Sequence, residues 1–343
     1  MAGKKSLSGI TAVTYINKYP GASDNAIAKK LHKDYPELYR NLEAARTVVR
    51  YHLKRPGAPG YKKCRTEAVP RTRIFTREDP FGIPPSHAKK REPNYLPVVN
   101  NNILILSDLH IPYHDVTAIK RAIRYGLDQN VNTIFINGDL LDCFQLSRFE
   151  KDYKNRPSTK IELELGKHFL TSLRGYFPEA QIYYHLGNHD IRYEKFMHTH
   201  NIMMSDLFGD DEVTLETRLG LIDLNIHLIG DKQITHCGTS GLSLHHGHYI
   251  FRGATSPVSP AKTILDKMGM SMICGHTHKI SEFTKIDGRG QIHTAWSTGS
   301  LCELSPDYSP MASNYTHGFS HAIIHRDNTF TVRNYRMNDG KIL

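Results

Sequence analysis

The chain has 343 residues, of which 39% are hydrophobic and 23% are charged, as in a globular protein long enough for about two domains. It contains no run of roughly 18 apolar residues and no long apolar segment near its start, so we expect neither a membrane span nor a secretory signal. The five cysteines are scattered and form no CxxC pair, which argues against a disulfide framework or a zinc finger and favours a reducing, cytoplasmic setting.

The net charge of +10 is concentrated in the first quarter of the chain. Residues 1–95 contain 20 lysines and arginines against 8 aspartates and glutamates, whereas the rest of the chain is slightly acidic. Such asymmetry is typical of a segment that faces nucleic acid or another anionic surface. A basic tail that serves only solubility is the alternative.

Three short helices are predicted within residues 1–60. The first covers 8–18, the second follows an N-cap at Ser23, and the third covers 41–55. The third helix is basic, and its cationic side chains recur every fourth residue, at Arg46, Arg50 and Lys54. The arrangement resembles a helix-turn-helix or winged-helix module, whose last helix can enter the major groove of DNA. A plain packing or docking domain of three helices is the alternative.

Residues 61–98 are rich in proline, glycine, lysine and arginine, so we interpret them as a linker that runs over the surface. From residue 99 apolar β runs alternate with amphipathic helical patterns, and polar residues gather just after the strands. This predicts a layered α/β domain over 99–343, with its site at the carboxyl edge of the sheet. We expect residues 191–235 to be a partly helical cap or insertion, and a terminal hairpin to turn at Asp327 and Asn328.

Five short motifs follow predicted strands: SDLH, NGDLLD, GNHD, LHHGH and GHTH. Each is weak alone, because polar turns after strands are common. Together they supply imidazole and carboxylate groups, which suit manganese, iron, zinc, nickel or cobalt. Two divalent ions held about 3.5–4 Å apart need a shared anionic oxygen, and they lower the pKa of a bound water so that hydroxide forms near neutral pH. The motifs therefore predict a centre of two metal ions.

The ordered motifs resemble those of the calcineurin-like metallophosphoesterase superfamily, over about residues 102–302. The resemblance implies a sandwich of two sheets flanked by helices, two divalent ions with manganese preferred, and hydrolysis of a phosphoric ester. In that family the first ion is held by residues that correspond here to Asp108, His110 and His278. The second ion is held by those that correspond to Asn188, His246 and His276, and Asp139 bridges the two.

The same resemblance makes His189, inside GNHD, the catalytic histidine, and we expect Asp190 to orient its imidazole. LHHGH offers three histidines as the ligand, and the family pattern favours His246, because it precedes a glycine. Strand alternation directs His245 the other way, and we expect His248 to be a substrate neighbour. Three further side chains are expected to touch the substrate or orient ligands, or else to form ordinary ion pairs: Asp142, Arg148 and Arg192. The single tryptophan, Trp296, is expected in the core.

The metal-ligand motifs do not separate phosphodiesters from phosphomonoesters. The basic first quarter favours a nuclease or another nucleic-acid phosphodiesterase, with nucleic acid as the partner. One alternative is a phosphatase that acts on phosphoprotein or small phosphoesters. Another is a binding protein with a decayed site, although every ligand position is filled. The helical module before the phosphoesterase domain also resembles bacteriophage-type members of the family, a looser resemblance that fixes no substrate.

Overall fold

A computed structural model describes residues 6–20, 22–53, 86–88, 92–97, 101–147, 157–208, 213–252, 257–305 and 314–343, without side chains for 200–208. The chain divides into two compact units, Met1–Ala88 and Lys89–Leu343. Among the predicted site residues, Lys54 and Arg148 lie outside the described residues, as does most of the predicted linker.

The first unit contains the three helices that the sequence predicts, which are α1 (Leu7–Lys18), α2 (Asp24–Asp34) and α3 (Leu42–His52). Ser23 caps α2 as expected, because its hydroxyl accepts a hydrogen bond from the backbone N–H of Ala26 at 3.2 Å. Leu31, Tyr39 and Val49 are fully buried where the helices meet. The first unit therefore has a hydrophobic core of its own.

The second unit holds thirteen strands and five α-helices in its described residues. In chain order the strands are β1 (Asn94–Leu96), β2 (Asn102–Leu106), β3 (Thr133–Asn137), β4 (Gln181–His185), β5 (Ile226–Ile229), β6 (Thr235–Cys237), β7 (Ser243–His245), β8 (Met272–Cys274), β9 (Ser281–Ile286), β10 (Ile292–Ser297), β11 (His317–Ile324), β12 (Phe330–Asn338) and β13 (Lys341–Ile342). The helices are α4 (Val116–Asp128), α5 (Thr159–Tyr176), α6 (Asp190–Phe208), α7 (Leu215–Leu219) and α8 (Pro260–Met268).

The strands form two sheets that pack face to face. One sheet has the order β13-β12-β11-β2-β3-β4-β5, and the other has the order β1-β6-β7-β8-β10-β9. Phe135 of β3 and Trp296 of β10 share the core between the sheets, which confirms the prediction for the tryptophan. Strands β2 to β5 run parallel, so the loops that follow them meet at one edge of the sheet.

Helices cover both outer faces of the sandwich. Strand β2 is almost entirely apolar because both of its faces are buried. Ile103 and Ile105 face the second sheet, whereas Leu104 and Leu106 face the layer of α4 and α5. On the other side, α8 packs its apolar side chains against the second sheet. The architecture is the two-sheet α/β sandwich that was predicted.

Two boundaries in the predicted organisation need correction. Strand β1 pairs in parallel with β6, so the second unit begins before residue 99 and the linker ends earlier than 98. The segment 191–235, expected to be a cap or insertion, contributes β5 to the edge of the seven-stranded sheet, parallel to β4.

The terminal hairpin forms as predicted, with β11 and β12 antiparallel and Asn328 in its turn at a φ of 64°. The described cysteines are buried free thiols: Cys143, Cys237, Cys274 and Cys302. Within the described ranges, no helix combines the length and apolar character needed to cross a membrane.

Candidate metal centre

The loops that follow β2, β3, β4, β7 and β8 bring the predicted metal ligands together. Three groups of side chains each have ligand atoms within 4.8 Å of one another, and the third, His110, Asp142 and His189, shares His110 with the first. The first group is Asp108, His110 and His278, and the second is Asp139, His246 and His276. Asn188 joins the second group, because its Oδ1 lies 3.2 Å from Nε2 of His246. All seven predicted ligands therefore lie in one place.

Asp139 lies between the two groups. Its Oδ2 is 3.1 Å from Nε2 of His246 and 3.7 Å from Nε2 of His110. Its Oδ1 accepts a hydrogen bond from the backbone N–H of His189 at 2.8 Å. A single carboxylate oxygen thus faces one imidazole of each group, as a bridging ligand must.

The second group fits a cation because its acceptors converge. Nδ1 of His246 lies 2.8 Å from the carbonyl oxygen of Asn137, to which it donates, so Nε2 carries the lone pair when the ring is neutral. That lone pair faces oxygens of Asp139 and Asn188 at 3.1 and 3.2 Å. Three electron-rich atoms at this distance repel one another unless a positive charge lies between them.

The first group shows the same arrangement. Nδ1 of His110 donates to Oδ1 of Asp142 at 2.9 Å, which leaves its Nε2 with a lone pair. This nitrogen is 3.1 Å from Nε2 of His278, which in turn is 3.1 Å from Oδ1 of Asp108. The donor set of imidazole nitrogen and carboxylate oxygen is one that divalent transition metals prefer.

The electrostatic environment also demands positive charge. Burial alone would lower the pKa of His246, but the neighbouring Asp139 carboxylate raises it to about 9. Burial alone would raise the pKa of Asp108, but the His278 imidazole lowers it to about 2. Both shifts show that the buried carboxylates remain ionised and attract a cation, which can be a proton or a metal ion.

Five of the seven ligands have a left-handed backbone, with φ between 50° and 69°. They are Asp108, His110, Asp139, His276 and His278. Residues other than glycine rarely adopt this conformation, and each instance costs on the order of 1–3 kcal/mol. Such strain persists only where surrounding interactions hold it in place, and it is concentrated at functional sites.

Asp190 contributes to holding these loops, and its predicted contact with the His189 imidazole needs correction. Its Oδ2 accepts hydrogen bonds from the backbone N–H groups of Asp139 and Gly187, each at 2.8 Å. Its Oδ1 accepts a third from Leu141 at 3.0 Å. The carboxylate therefore ties the NGDLLD loop to the GNHD loop, and it acts on the backbone instead of the imidazole.

Asp142 is the carboxylate that reaches the catalytic candidate. Its Oδ1 lies 2.9 Å from Nδ1 of His110 and 3.1 Å from Nδ1 of His189. Arg192 donates to the carbonyl oxygen of Asp142 at 3.0 Å, and its Nη2 is 3.2 Å from Nε2 of His189. Burial alone would lower the pKa of His189, but Asp139 and Asp142 raise it. One carboxylate thus orients both a metal ligand and the neighbouring histidine.

The three histidines of LHHGH have different surroundings. His246 lies in the centre, whereas His245 points away and donates from Nε2 to the carbonyl oxygen of Asp231 at 3.1 Å. Nδ1 of His245 accepts the backbone N–H of Gly247 at 2.9 Å. The ring of His248 lies beside the centre, 5.5 Å from the ring of His246. Strand alternation therefore separates His245 from His246 as the sequence predicts.

Two glycines of the motifs are needed for close approach between loops. A Cβ at Gly187 would overlap the carboxylate and the backbone nitrogen of Asp139, and a Cβ at Gly275 would overlap Oγ of Ser107. These glycines directly precede Asn188 and His276 in the sequence. Any side chain at either position would push a ligand loop out of the centre.

The arginines predicted to bind nucleic acid lie on α3. Nη1 of Arg46 is 3.1 Å from Glu43, and Nη1 of Arg50 is 3.7 Å from the other oxygen of the same carboxylate. Both arginine side chains are half-buried. Glu43 therefore offsets part of the positive charge on this helix.

Three residues that support the centre were missing from the sequence prediction. Asn137 ends the otherwise apolar strand TIFIN, and this polar residue at a strand end was a signal that could have been used. Glu162 is buried on α5 and accepts the backbone N–H of Cys143 at 2.5 Å, but it belongs to no motif. Asp231, in the turn after β5, also belongs to no motif, and its carbonyl oxygen accepts a hydrogen bond from His245.

Comparison with known proteins places these features in a family. The family model for calcineurin-like phosphoesterases matches residues 102–280, which include all seven candidate ligands. Gene 54 protein of Mycobacterium phage D29 is 24% identical over 184 residues, which are 53% of this chain and 70% of that protein.

Two solved structures are similar at low identity. Vacuolar Protein Sorting 29 from Cryptosporidium parvum matches 71% of this chain and 95% of its own, with 15% identity and a TM-score of 0.38. Yfce, a phosphoesterase from E. coli, matches 68% of this chain and 98% of its own, with 14% identity and a TM-score of 0.29. Because the family model spans more than half of the sequence and contains both ligand groups, this chain belongs to the calcineurin-like phosphoesterase family.

Proposed function

We propose that this metal-dependent phosphoester hydrolase is a phosphodiesterase that acts on nucleic acid. The observation that supports the proposal is the distribution of charge. Residues 1–95 carry a net charge of +12, while the remainder, which holds the metal centre, carries −2. Neutralising backbone phosphates supplies most of the nonspecific affinity for a nucleic acid, and the basic first quarter offers the lysines and arginines for it.

The side chains around the centre suit hydrolysis of a phosphoric ester. When bound, the two divalent ions activate water for attack and stabilise charge on the phosphoryl oxygens. His189 is not among the seven predicted ligands, although it groups with His110 and Asp142, and its raised pKa favours the protonated form that can donate to a leaving oxygen. Asp142 lies 3.1 Å from Nδ1 of this ring and Nη2 of Arg192 lies 3.2 Å from its Nε2, so these two side chains position the imidazole beside the centre. Arg192 adds a positive charge beside it.

A phosphatase that acts on phosphoprotein or small phosphoesters is the second candidate. The contacts of Glu43 with Arg46 and Arg50 favour it, because a stripe that shares its charge with a carboxylate attracts a polyanion less strongly. On that hypothesis the first unit has another role, and it adds nothing to substrate affinity.

A panel of metals and substrates tests the proposal. The full-length protein is supplied with manganese, nickel, cobalt, zinc or magnesium and assayed on DNA, RNA, cyclic nucleotides, bis(p-nitrophenyl) phosphate and p-nitrophenyl phosphate. We expect polynucleotides and diesters to be cleaved with a higher kcat/KM than the monoester, with manganese as the best ion. The Asp139→Asn variant, purified in parallel, controls for a contaminating nuclease. Preference for the monoester without cleavage of any polynucleotide contradicts the proposal and supports a phosphatase.

A further inference from the structure

A polar side chain next to the second ligand group has no role in the chemistry described above. The ring of His248 lies 5.5 Å from the ring of His246 and 6.3 Å from that of His276. Its side chain is only 7% exposed, yet neither ring nitrogen has a hydrogen-bond partner within the described ranges. Burying a polar group without a partner is unfavourable, so this side chain, beside the centre, is a candidate to receive a hydrogen bond from a bound substrate.

The nearest ionised group to His248 is the carboxylate of Asp231. Nε2 of His248 is 3.9 Å from Oδ2 of Asp231, which is too long for a hydrogen bond. Oδ2 accepts the hydroxyl of Tyr249 at 2.5 Å. Burial alone would raise the pKa of Asp231, but the nearby His248 imidazole and the hydrogen bond from Tyr249 lower it to about 2. Asp231 is therefore an ionised hydrogen-bond acceptor, and its side chain is 21% exposed.

Two buried histidines hold the turn that carries this carboxylate. His245 donates to the carbonyl oxygen of Asp231 at 3.1 Å, and His185 donates to that of Gln233 at 2.9 Å. Gln233 closes the turn, because its backbone N–H and its Oε1 both bond to Gly230 at 3.0 Å. Histidines that are not metal ligands thus fix Asp231 at the rim of the centre.

We propose that Asp231 and His248 form a subsite that binds a hydroxyl group on the alcohol portion of a phosphodiester, such as a sugar hydroxyl. This inference rests on the proposed phosphodiesterase function and adds a specificity determinant to it. A substrate hydroxyl whose oxygen lies about 2.8 Å from Oδ2 of Asp231 and from Nε2 of His248 bridges the two side chains. The hydroxyl donates its hydrogen to the carboxylate and accepts a hydrogen bond from the imidazole. A second phosphate is disfavoured here, since the Asp231 charge repels it.

Three esters that share one leaving group isolate the subsite. They are the 5′-(p-nitrophenyl phosphate) esters of 5-methyluridine, thymidine and 3′-deoxythymidine, which differ only in their sugar hydroxyls. In the wild-type protein we expect kcat/KM to be about 10- to 100-fold higher for an ester with the bound hydroxyl than for 3′-deoxythymidine, the range for one hydrogen bond to a charged group. In Asp231→Ala and in His248→Ala this ratio should fall towards 1. Asp223→Ala and His325→Ala, which change exposed residues of the same types, should keep the wild-type ratio.

The outcomes separate the subsite from the underlying function. Equal kcat/KM for the three esters in the wild-type protein overturns the subsite, as does an unchanged ratio in both Asp231→Ala and His248→Ala. Elemental analysis of each variant shows whether both ions are retained. If a variant loses metal, two other results decide whether the subsite exists. One is the comparison of kcat/KM among the three esters in the wild-type protein, and the other is the same ratio in Asp231→Asn, which keeps the shape of the side chain. Failure of the metal-loaded wild-type protein to hydrolyse bis(p-nitrophenyl) phosphate overturns the phosphodiesterase function instead.

Discussion

The imidazoles of the metal centre are oriented by the hydrogen bonds of their second nitrogens. His246 donates to a backbone carbonyl and His110 donates to the Asp142 carboxylate, so each presents a lone pair on Nε2 to the centre. His278 has its Nδ1 3.8 Å from the thiol of Cys302. These partners lie outside the ligand set, and they determine which nitrogen is available to an ion before the ion binds.

Asp139→Asn should empty the centre. The carboxylate faces an imidazole of each group, so the amide removes the only charge that both ions share. We expect elemental analysis to find less than one ion per chain, and activity to fall below detection. Asp128→Asn, at an exposed position on α4, is the matched control and should keep the wild-type metal content. Two tightly bound ions in Asp139→Asn would contradict the bridging role.

The His189→Ala variant should keep its metal ions but hydrolyse its substrate much more slowly. The imidazole contacts Asp142 and Arg192 and groups with His110 and Asp142, but it is not among the seven predicted ligands. The hydrogen bond from His189 to Asp139 is made by the backbone N–H. We expect kcat to fall about 10²–10⁴-fold, the usual contribution of a general acid or base. Metal content is measured on the same sample. A loss of ions in this variant would mean that His189 is a ligand and not a catalyst.

At the scale of elements, the centre depends on loops that are held to one another by buried carboxylates. Asp190 at the start of α6 accepts three backbone hydrogen bonds from two loops. Glu162 on α5 accepts one from Cys143, which has a φ of 47° and directly follows Asp142. The strained conformations of the ligand loops are therefore maintained by helices that supply no ligand.

Glu162 should make stability depend on pH. Burial is the main cause that raises its pKa from the ordinary 4.5 to about 7, and the charges of Asp142 and Asp190 add to it. Because the pKa is raised in the folded protein, the protonated form stabilises the fold below about pH 4.5, and this stabilisation is lost as the pH rises through 7. Glu162→Gln stays neutral, so it should avoid a loss of about 2 kcal/mol that the wild-type protein shows between pH 5 and pH 8.

Urea unfolding of the metal-free protein at several pH values measures this difference. Glu164→Gln changes an exposed glutamate of the same helix and should leave the wild-type pH dependence in place. Parallel curves of unfolding free energy against pH for the wild-type protein and Glu162→Gln would show that the buried carboxyl does not titrate in this range.

At the scale of the whole molecule, the excess of positive charge and the candidate metal ligands lie in different parts of the chain. The first unit has its own core and contains the basic helix α3, while every candidate metal ligand lies in the second unit. If the first unit contributes phosphate contacts, affinity for polynucleotides should depend on salt and turnover of small esters should not.

The double variant Arg46→Ala, Arg50→Ala tests that separation in the full-length protein. If each arginine neutralises one phosphate, the slope of log K against log salt on duplex DNA should become shallower by about 1.8. The rate on bis(p-nitrophenyl) phosphate should remain unchanged. Arg121→Ala, Arg124→Ala removes two exposed arginines from α4 and is the matched control. Equal losses of affinity in both double variants would argue against a specific role for α3.

The sequence by itself predicted a layered α/β domain, and the resemblance of its motifs to those of calcineurin-like phosphoesterases implied the two-sheet sandwich and the ligand set. Apolar runs such as NILIL and TIFIN predict strands buried on both faces, and polar residues after parallel strands must meet at one edge of the sheet. Strand direction thus predicted where the polar residues meet, and the family resemblance of the motifs assigned Asp108, Asp139 and Asn188 as ligands before their distances were known.

Only the tertiary structure decided which side chains support those ligands. Asp142 and Asp190 each lie within three residues of a candidate site residue, yet only Asp142 reaches His189, because Asp190 begins α6 and its oxygens face backbone amides of another loop. Asp231 belongs to no motif, and it reaches the rim because His185 and His245 hold the turn after β5. These contacts join loops far apart in the chain, so they depend on strand register and loop path, which residue spacing does not encode.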